Sequence, residues 1–288
     1  MDVLILGATG NVGGEAFRAL VDDASVRPIA GARSADAARE KLGPTAEIRT
    51  LDLNDPDMLT AALEGIDAAL LLTGYSVEMF RQSKRFLDAA CEASVRHIVH
   101  IGASGAATNE VGHWGLHHFV EAYIEKLGFS WTHLRPEAFM SNVTAPGFGW
   151  LSGGTLTNLI GEADWTWVDA ADVGAVAAAC LADPDRYAGQ TNPVAADSAT
   201  LRQVAEMLAE SLGHDVALQP TDPRQFEQMA IEHGAEPAYI DCVASQFEMD
   251  AAGVLPKVPP NVDQLTAILG RAPIRWTDHI ARVRDSLD

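Results

Sequence analysis

The chain begins with an apolar run and three regularly spaced glycines. Val3–Leu6 is a continuous apolar stretch of strand length, and the glycines that follow it at intervals of three residues are Gly7, Gly10 and Gly13. From Val12 onward, apolar residues recur with helical spacing. Such a strand, turn and helix can hold a phosphate, because glycines allow close backbone approach and the helix N-terminus offers N–H groups. The pattern predicts dinucleotide binding, and its alternative is an ordinary surface turn.

Further residues that follow predicted strands are expected to contact the same dinucleotide. The carboxyl ends of parallel strands meet at one edge of a sheet, and open α/β sheets bind ligands there. In related folds, an Asp-Leu pair after the third strand lies beside the adenine, and Asp52–Leu53 occupies that place here. The predicted cofactor contacts are Gly7, Thr9, Gly10, Asn11, Val12, Gly13, Arg33, Asp52, Leu53, Thr73, Gly74, Gly102, Ala103, Ser104 and Pro136.

Arg33 stands where doubly wound folds select between the two nicotinamide dinucleotides, about 20 residues beyond the glycine turn. A site selective for NAD usually has Asp or Glu at this place, whereas a guanidinium suits a 2′-phosphate and can stack on adenine. The sequence therefore favours NADP(H) as the cofactor. The alternative is a solvated surface arginine.

Two histidines, His113 and His117, stand four residues apart in or just before a predicted helix. Residues at this spacing share a helix face, and imidazole can donate or accept a proton near neutral pH. His118 points about 100° further round the helix and is the weaker candidate. His97 and His100 belong to a predicted strand and are interpreted as structural.

The order of predicted elements indicates an α/β fold. Helical patterns separate six predicted strands, which are Val3–Leu6, Val26–Gly31, Glu47–Leu51, Asp67–Leu72, Val95–Ile101 and Phe129–Leu134. Such alternation predicts a doubly wound parallel sheet with a smaller, mainly helical C-terminal lobe. We assign residues 1–137 and 164–195 to the nucleotide-binding domain, and residues 138–163 and 196–288 to a substrate-side lobe. Residues 137–160 are interpreted as substrate-side loops, and Thr277 as the cap of the last helix.

Composition excludes several classes of partner. The formal net charge of −20, from 40 acidic and 20 basic residues, repels phosphate backbones and argues against nucleic acid. No apolar run reaches the roughly 18 residues of a membrane span, and the N-terminus has no basic leader, so we expect a cytoplasmic protein. The scattered Cys91, Cys180 and Cys242 predict buried thiols and no metal site. A homodimer is left open.

With these residues identified, the chain resembles the NmrA-like branch of the atypical short-chain dehydrogenase/reductases. The resemblance is carried by the glycine turn, by His97–Ser104, by Phe119–Gly128 and by Trp131–Asn142, in which Leu-Arg-Pro precedes Phe and Asn. It implies a Rossmann domain with a small C-terminal lobe and NADP(H) in the crevice between them. Members of this branch include quinone, dye and phenylpropanoid reductases, and also redox-sensing regulators.

The chain departs from the wider family at its usual catalytic pair. Short-chain dehydrogenases act through Tyr-x-x-x-Lys, but here Tyr123 precedes Lys126 by three residues instead of four. At the expected place the spacing persists as His113 and His117. The resemblance places His117 where some NmrA-like reductases retain only a lysine. The phase of the apolar residues places His117 inside the helix and favours it as the proton donor, and the alternative is that His117 only binds the cofactor ribose or packs. His113 and Tyr75 are further catalytic candidates.

The leading function is an NADP-dependent oxidoreductase that transfers hydride to a small, apolar carbonyl, quinone or conjugated substrate. Five apolar or aromatic side chains are expected to line its pocket, or else to pack between the lobes: Tyr75, Phe139, Met140, Phe148 and Trp150. The missing Tyr/Lys pair keeps two alternatives open. One is a catalytically silent NADP-binding sensor or regulator, and the other is a dehydratase or isomerase that uses histidine acid–base chemistry.

Overall fold

The computed structural model describes residues 1–104, 106, 110–145 and 150–287. The strands in these residues are β1 (Asp2–Leu6), β2 (Arg27–Ala32), β3 (Glu47–Thr50), β4 (Ala68–Leu71), β5 (His97–Ile101), β6 (Ser130–Pro136), β7 (Ala138–Phe139), β8 (Leu151–Ser152), β9 (Thr155–Asn158), β10 (Asp164–Val168), β11 (Gln190–Val194), β12 (Asp197–Thr200) and β13 (Ala217–Pro220).

The helices of the same residues are α1 (Asn11–Val21), α2 (Ala35–Leu42), α3 (Pro56–Leu63), α4 (Met79–Glu92), α5 (Gly112–Leu127), α6 (Ser141–Thr144), α7 (Ala170–Ala182), α8 (Pro184–Tyr187), α9 (Leu201–Leu212), α10 (Pro223–Glu232), α11 (Pro237–Ala251), α12 (Val262–Leu269) and α13 (Trp276–Val283). A 3₁₀ helix, Arg284–Ser286, follows α13. No helix in the described ranges combines the length and the apolar character that a membrane span requires.

A seven-stranded sheet has the order β11-β6-β5-β4-β1-β2-β3. The neighbours from β6 to β3 pair in parallel. The chain proceeds from β1 to β2 and β3 on one side and then returns to place β4, β5 and β6 on the other. This order confirms the predicted doubly wound fold, whose ligand crevice is expected at the carboxyl ends of the strands.

The described residues cluster into two compact units. The first unit comprises Met1–Ala103, Leu116–Arg135 and Ala170–Asn192, and the second comprises Ser104–Gly115, Pro136–Asp169 and Pro193–Asp288. The second unit thus includes residues 164–169, which the domain assignment placed with the nucleotide-binding part. The domain assignment stays a prediction.

The first unit contains a close approach between α1 and α7. A Cβ atom on Gly174 would lie 2.5 Å from the Cβ of Glu15 and 2.8 Å from the carbonyl oxygen of Val12. These separations are far below van der Waals contact, so only glycine allows the two helices to pack at this distance.

The same unit contains Cys91, which is exposed although burial was predicted.

The second unit contains two small sheets beside its helices, with strand orders β12-β10-β7 and β13-β9-β8. Residues 137–160 therefore include β7, α6, β8 and β9, and their interpretation as loops was wrong. These elements are two to four residues long, which is too short for a periodic pattern to reveal. The cap prediction for Thr277 was also wrong, since α13 begins at Trp276 and its N-cap is Arg275.

Aromatic side chains form much of the core of the second unit. Trp167 is fully buried, and the ring centroid of Trp276 lies 5.1 Å from that of Trp167 in an edge-to-face arrangement. At the margin of this core, the carboxylate of Asp250 accepts hydrogen bonds from the side chains of Trp165 and Gln246. Burial nevertheless raises the pKa of Asp250 to about 6, because a partly desolvated carboxylate favours its neutral form.

Replacing Asp250 by Asn should stabilise the protein at about pH 8 and change little at about pH 4. The pKa of Asp250 in the folded protein, about 6, lies above the ordinary value of 3.8. Between pH 3.8 and about pH 6 the folded protein therefore binds more protons than the unfolded chain does. Native stability therefore falls as pH rises from about 4 to about 6. The full shift corresponds to about 3 kcal/mol, which partial solvation reduces to about 1–2 kcal/mol.

Urea unfolding of wild type and Asp250→Asn at both pH values measures this gain. Asp263→Asn, which alters an exposed carboxylate at the start of α12, is the matched control. A variant that is equally stable or less stable than wild type at about pH 8 would contradict the expected penalty.

Candidate functional site

The glycine turn between β1 and α1 has the geometry of a phosphate cradle. The Gly10 N–H donates to the Gly7 carbonyl over 2.8 Å, and the Gly14 N–H donates to the Gly10 carbonyl over 3.0 Å. Gly10 is the N-cap of α1, and no side chain caps the helix there. The first N–H groups of α1 are thus left for an anion, which the positive end of the helix dipole favours.

The three glycines serve different steric needs. Gly7 has φ +66°, a left-handed conformation that other residues rarely adopt. A Cβ on Gly13 would lie 2.3 Å from the Gly7 carbonyl oxygen, so Gly13 permits close packing of helix and turn. A Cβ on Gly10 would meet only one described atom within 4 Å, the Gly7 carbonyl oxygen at 3.3 Å. A side chain at Gly10 would therefore project from the turn.

The parallel sheet brings most of the predicted cofactor contacts of the first unit to one edge. The glycine turn with Thr9, Asn11 and Val12 follows β1, and Arg33 follows β2. Asp52 and Leu53 follow β3, Thr73 and Gly74 follow β4, and Gly102 and Ala103 follow β5. The Gly102 N–H donates to the Leu134 carbonyl over 2.8 Å, which ties the end of β5 to β6.

Ser104 and Pro136 belong to the second unit. The Ser104 hydroxyl lies 3.0 Å from both carboxylate oxygens of Glu137, and it also accepts the Ala106 N–H over 3.1 Å. Ser104 is buried, and Pro136 ends β6 with its side chain buried as well. Structural contacts therefore account for both residues, and their roles as cofactor contacts stay predictions.

A second cation stands near the glycine turn, and the sequence analysis did not identify it. The Lys41 Nζ donates to the Thr9 carbonyl over 3.3 Å from the end of α2. Arg33 is exposed, and no described residue forms a hydrogen bond or ion pair with its guanidinium. Because Lys41 is distant from the turn in sequence, only the α2 packing reveals its position.

Replacing Arg33 by Ala should weaken NADPH binding by about ten- to a hundredfold and leave NADH binding nearly unchanged. A charge-assisted contact to the 2′-phosphate contributes about 1.5–3 kcal/mol, which corresponds to that range of affinity. Titration of both nucleotides into wild type and variant measures it, with Arg39→Ala, an exposed arginine of α2, as control. Equal affinities of wild type for NADPH and NADH would remove Arg33 as the selector.

His117 lies on α5 in the first unit and contacts a histidine of the sheet. Its Nδ1 is 3.3 Å from the Nε2 of His100, and the two ring centroids are 5.3 Å apart. His117 is half-buried. His100 is buried, and burial together with the neighbouring imidazoles lowers its pKa well below the ordinary value. His100 is thus a neutral neighbour of His117, and this pairing was not predicted.

His100 also belongs to a buried cluster with Glu121 and His133. One ligand-type atom from each residue lies within 4.8 Å of the other two. Glu121, however, already binds Arg135, whose Nε and Nη2 donate to the two carboxylate oxygens over 3.0 and 2.5 Å. The guanidinium occupies the carboxylate and would repel a cation, so this cluster does not favour a metal ion.

His113 occupies a different environment on the same helix. It lies in the second unit, where its ring centroid is 5.5 Å from that of Tyr239, and it is buried. Burial lowers its pKa to about 4, so its imidazole is neutral at physiological pH. His118 is half-buried, and burial followed by the charge of Arg135 lowers its pKa as well. The catalytic roles of His113 and His117 stay predictions.

The structure also clarifies the tyrosines. The Tyr123 hydroxyl donates to Asp88 over 2.5 Å, and this bond to a carboxylate raises the pKa of Tyr123. A catalytic tyrosine of the short-chain dehydrogenases needs the opposite shift. Tyr75 is 72% exposed in the loop that follows β4, and its catalytic role stays a prediction.

Two residues predicted to line the apolar pocket lie instead in the core of the second unit. Met140 is fully buried and Trp150 is 8% exposed, so packing explains them better than an open pocket does. Phe139 is half-buried on β7. Phe148 lies outside the described residues.

Comparison with known proteins gives a consistent result. The model of the NmrA-like family matches residues 1–265. An NAD(P)H azoreductase of Xenophilus azovorans is 28% identical over 265 residues, which cover 89% of this chain and 91% of the relative.

Two solved structures share the fold. A NADPH-dependent quinone oxidoreductase of Escherichia coli, complexed with NADPH, has a TM-score of 0.83 at 22% identity and covers 99% of this chain and 100% of that one. NmrA, a negative transcriptional regulator in complex with NADP, has a TM-score of 0.75 at 18% identity and covers 98% of this chain and 94% of that one.

Proposed function

This chain belongs to the NmrA-like family, and on that premise we propose that it is an NADP(H)-dependent reductase. It transfers a hydride to a small, apolar carbonyl, quinone or conjugated substrate. The azoreductase and the quinone oxidoreductase that it resembles are both named for reductions that use a nicotinamide nucleotide.

The geometry of the glycine turn carries the proposal. The uncapped N-terminus of α1 leaves N–H groups for a pyrophosphate, and the space beside Gly10 has room for it. Arg33 and Lys41 supply two positive charges near the same sheet edge. In a chain with a formal net charge of −20, such cations at this edge favour the additional phosphate of NADP(H).

We assign the proton-donor role to His117. NADPH, when bound, supplies a hydride, and the oxygen of a reduced carbonyl or quinone then requires a proton. The half-buried imidazole of His117 can donate it, with His100 fixing the ring at Nδ1. His113 is less suited because it is buried against Tyr239. Tyr75 and Ser104 follow as the next candidates.

A panel of acceptors with NADPH tests this function. Quinones, azo dyes, enones and aldehydes are each mixed with enzyme and NADPH, and oxidation is followed as loss of NADPH absorbance. Consumption of NADPH that depends on both enzyme and acceptor supports the reductase. Conversion of a substrate without NADPH consumption would instead indicate a dehydratase or isomerase.

The missing Tyr/Lys pair favours a second candidate, a sensor that binds NADP(H) without chemistry. Tyr123 is engaged by Asp88, and NmrA, which shares the fold, is named as a transcriptional regulator that binds NADP. Tight NADPH binding, measured by calorimetry, together with no turnover of any acceptor would favour the sensor over the reductase.

We further propose a cytoplasmic protein that binds no nucleic acid and forms a homodimer. Its net charge disfavours nucleic acid. Phe80 on α4 and Phe119 on α5 are 43% and 67% exposed, with ring centroids 6.4 Å apart, and a second copy could cover this apolar surface. Light scattering of wild type and Phe119→Asp tests it, since a dimer should weaken in the variant.

A further inference from the structure

Three imidazoles and a carboxylate lie in succession between His117 and the surface of the first unit. We call this series the histidine file: His117, His100, His133 and Glu125. His100 and His133 are direct cross-strand partners on β5 and β6, and their ring centroids are 5.8 Å apart. The Nε2 of His133 lies 3.4 Å from the Oε1 of Glu125, whose side chain is 49% exposed.

The interior of the file contains buried nitrogens without hydrogen bonds. The Nδ1 of His100 and both ring nitrogens of His133 have no hydrogen-bond partner among the described residues, although the Nε2 of His133 lies within ion-pair distance of Glu125. Buried polar atoms are almost always satisfied by protein or water. One ring nitrogen of His100 lies within 4.8 Å of one of His133, and two hydrogen bonds of about 2.8 Å to one water span about that distance. A single water would therefore join the two rings.

We propose that the histidine file is a proton relay that resupplies His117 from solvent during reduction. This inference rests on the proposed function, in which His117 protonates the substrate oxygen. His117 gives one proton to that oxygen from Nε2 and takes one at Nδ1 from the Nε2 of His100. The bridging water gives a proton to the Nδ1 of His100 and takes one from the Nδ1 of His133.

The last transfer brings the proton in from outside. Glu125 takes up a proton from solvent and passes it to the Nε2 of His133. One proton thus enters at Glu125 and one leaves at the Nε2 of His117, and no electrons move within the file. Every imidazole ends neutral with its proton on the opposite nitrogen, so a rotation of each ring by about 180° returns the file to its starting tautomers before the next turnover. Imidazole is suited to this task because it can accept at one nitrogen while it donates at the other.

Burial explains why the file would conduct protons as neutral rings. His133 is fully buried and stacks on Trp131 with ring centroids 4.2 Å apart. Desolvation lowers the pKa values of both His100 and His133, so neither holds a trapped positive charge. The exchange of tautomers avoids placing a cation in the core.

His100→Phe and His133→Phe test the relay because phenylalanine keeps the ring volume and removes the nitrogens. With NADPH and the naphthoquinone menadione in dilute buffer, each variant should lower kcat by about ten- to a hundredfold, less than complete loss of a general acid. The NADPH dissociation constant should stay unchanged. Added imidazole, which can deliver protons directly, should restore kcat to within about threefold of wild type.

Glu125→Gln removes the outer end of the file on the exposed side of α5 and should lower kcat by about threefold in dilute buffer, again with rescue by imidazole. Glu92→Gln, an exposed carboxylate at the end of α4, is the matched control. Folded His100→Phe and His133→Phe variants with wild-type kcat, or a loss that imidazole does not restore, would overturn the relay. If neither variant folds, an unchanged kcat in Glu125→Gln would overturn it.

Nitrogen-15 NMR of the imidazoles tests the relay without any turnover, so its failure can be distinguished from failure of the proposed function. The relay requires a neutral His100 with its proton on Nε2, facing His117. A His100 that carries its proton on Nδ1, or one protonated on both nitrogens at neutral pH, would refute the direction of transfer even in an active enzyme.

Discussion

His117→Ala should lower turnover by about 10²–10⁴ and leave NADPH affinity nearly unchanged, because a general acid acts mainly in the transition state. His117 lies on α5, with its Nδ1 3.3 Å from His100, so the variant removes both the proposed donor and its link to the file. Steady-state kinetics with an acceptor from the panel, together with NADPH titration, measure the two quantities separately.

His118→Ala is the matched control for this experiment. His118 is adjacent in sequence and similarly half-buried, but it points to another side of the helix. The turnover of the His118→Ala enzyme should stay close to that of wild type. A His117→Ala enzyme within threefold of wild type would exclude His117 as the donor and make Tyr75 and Ser104 the next residues to change.

Gly10→Val should abolish measurable nucleotide binding in a protein that still folds. The backbone of Gly10 has φ −95° and ψ −175°, an extended conformation that valine adopts readily. The new side chain would occupy the space that the pyrophosphate needs. Loss of two charge-assisted contacts, each about 1.5–3 kcal/mol, corresponds to at least a hundredfold in affinity.

Calorimetric titration with NADPH measures the loss, and circular dichroism with thermal unfolding establishes that the variant is folded. Gly13→Val provides a contrast, because its Cβ would lie 2.3 Å from the Gly7 carbonyl oxygen and should destabilise the fold itself. Undiminished NADPH binding by folded Gly10→Val would mean that the turn has no role in binding phosphate.

The sequence predicted the first unit well because its signals are local. The apolar strands and the glycine turn each depend on a few adjacent residues. The pairing of the short strands in the second unit was not predicted, because each strand pairs with a distant partner, as β13 does with β9. Register between distant segments leaves no periodic pattern in the sequence.

The candidate site was predictable to a similar extent. The glycine turn and Arg33 follow from their position in a doubly wound fold. The contact of Lys41 with Thr9 depends on how α2 packs, and the proximity of His100 to His133 depends on the register of β5 with β6. Neither histidine is notable in sequence, since a buried imidazole in a strand is usually structural.

The contact of Gly174 with α1 has a consequence for adaptation of the cofactor site. The Val12 carbonyl, 2.8 Å from a Cβ at Gly174, belongs to the first turn of α1, the turn that would hold the pyrophosphate. A larger residue at position 174 would therefore push the first turn of α1 away from α7 and alter every phosphate contact at once. Nucleotide preference can evolve through substitutions at the exposed Arg33 and Lys41. The position of the cradle itself is constrained by Gly174, which lies more than 150 residues beyond the turn in sequence.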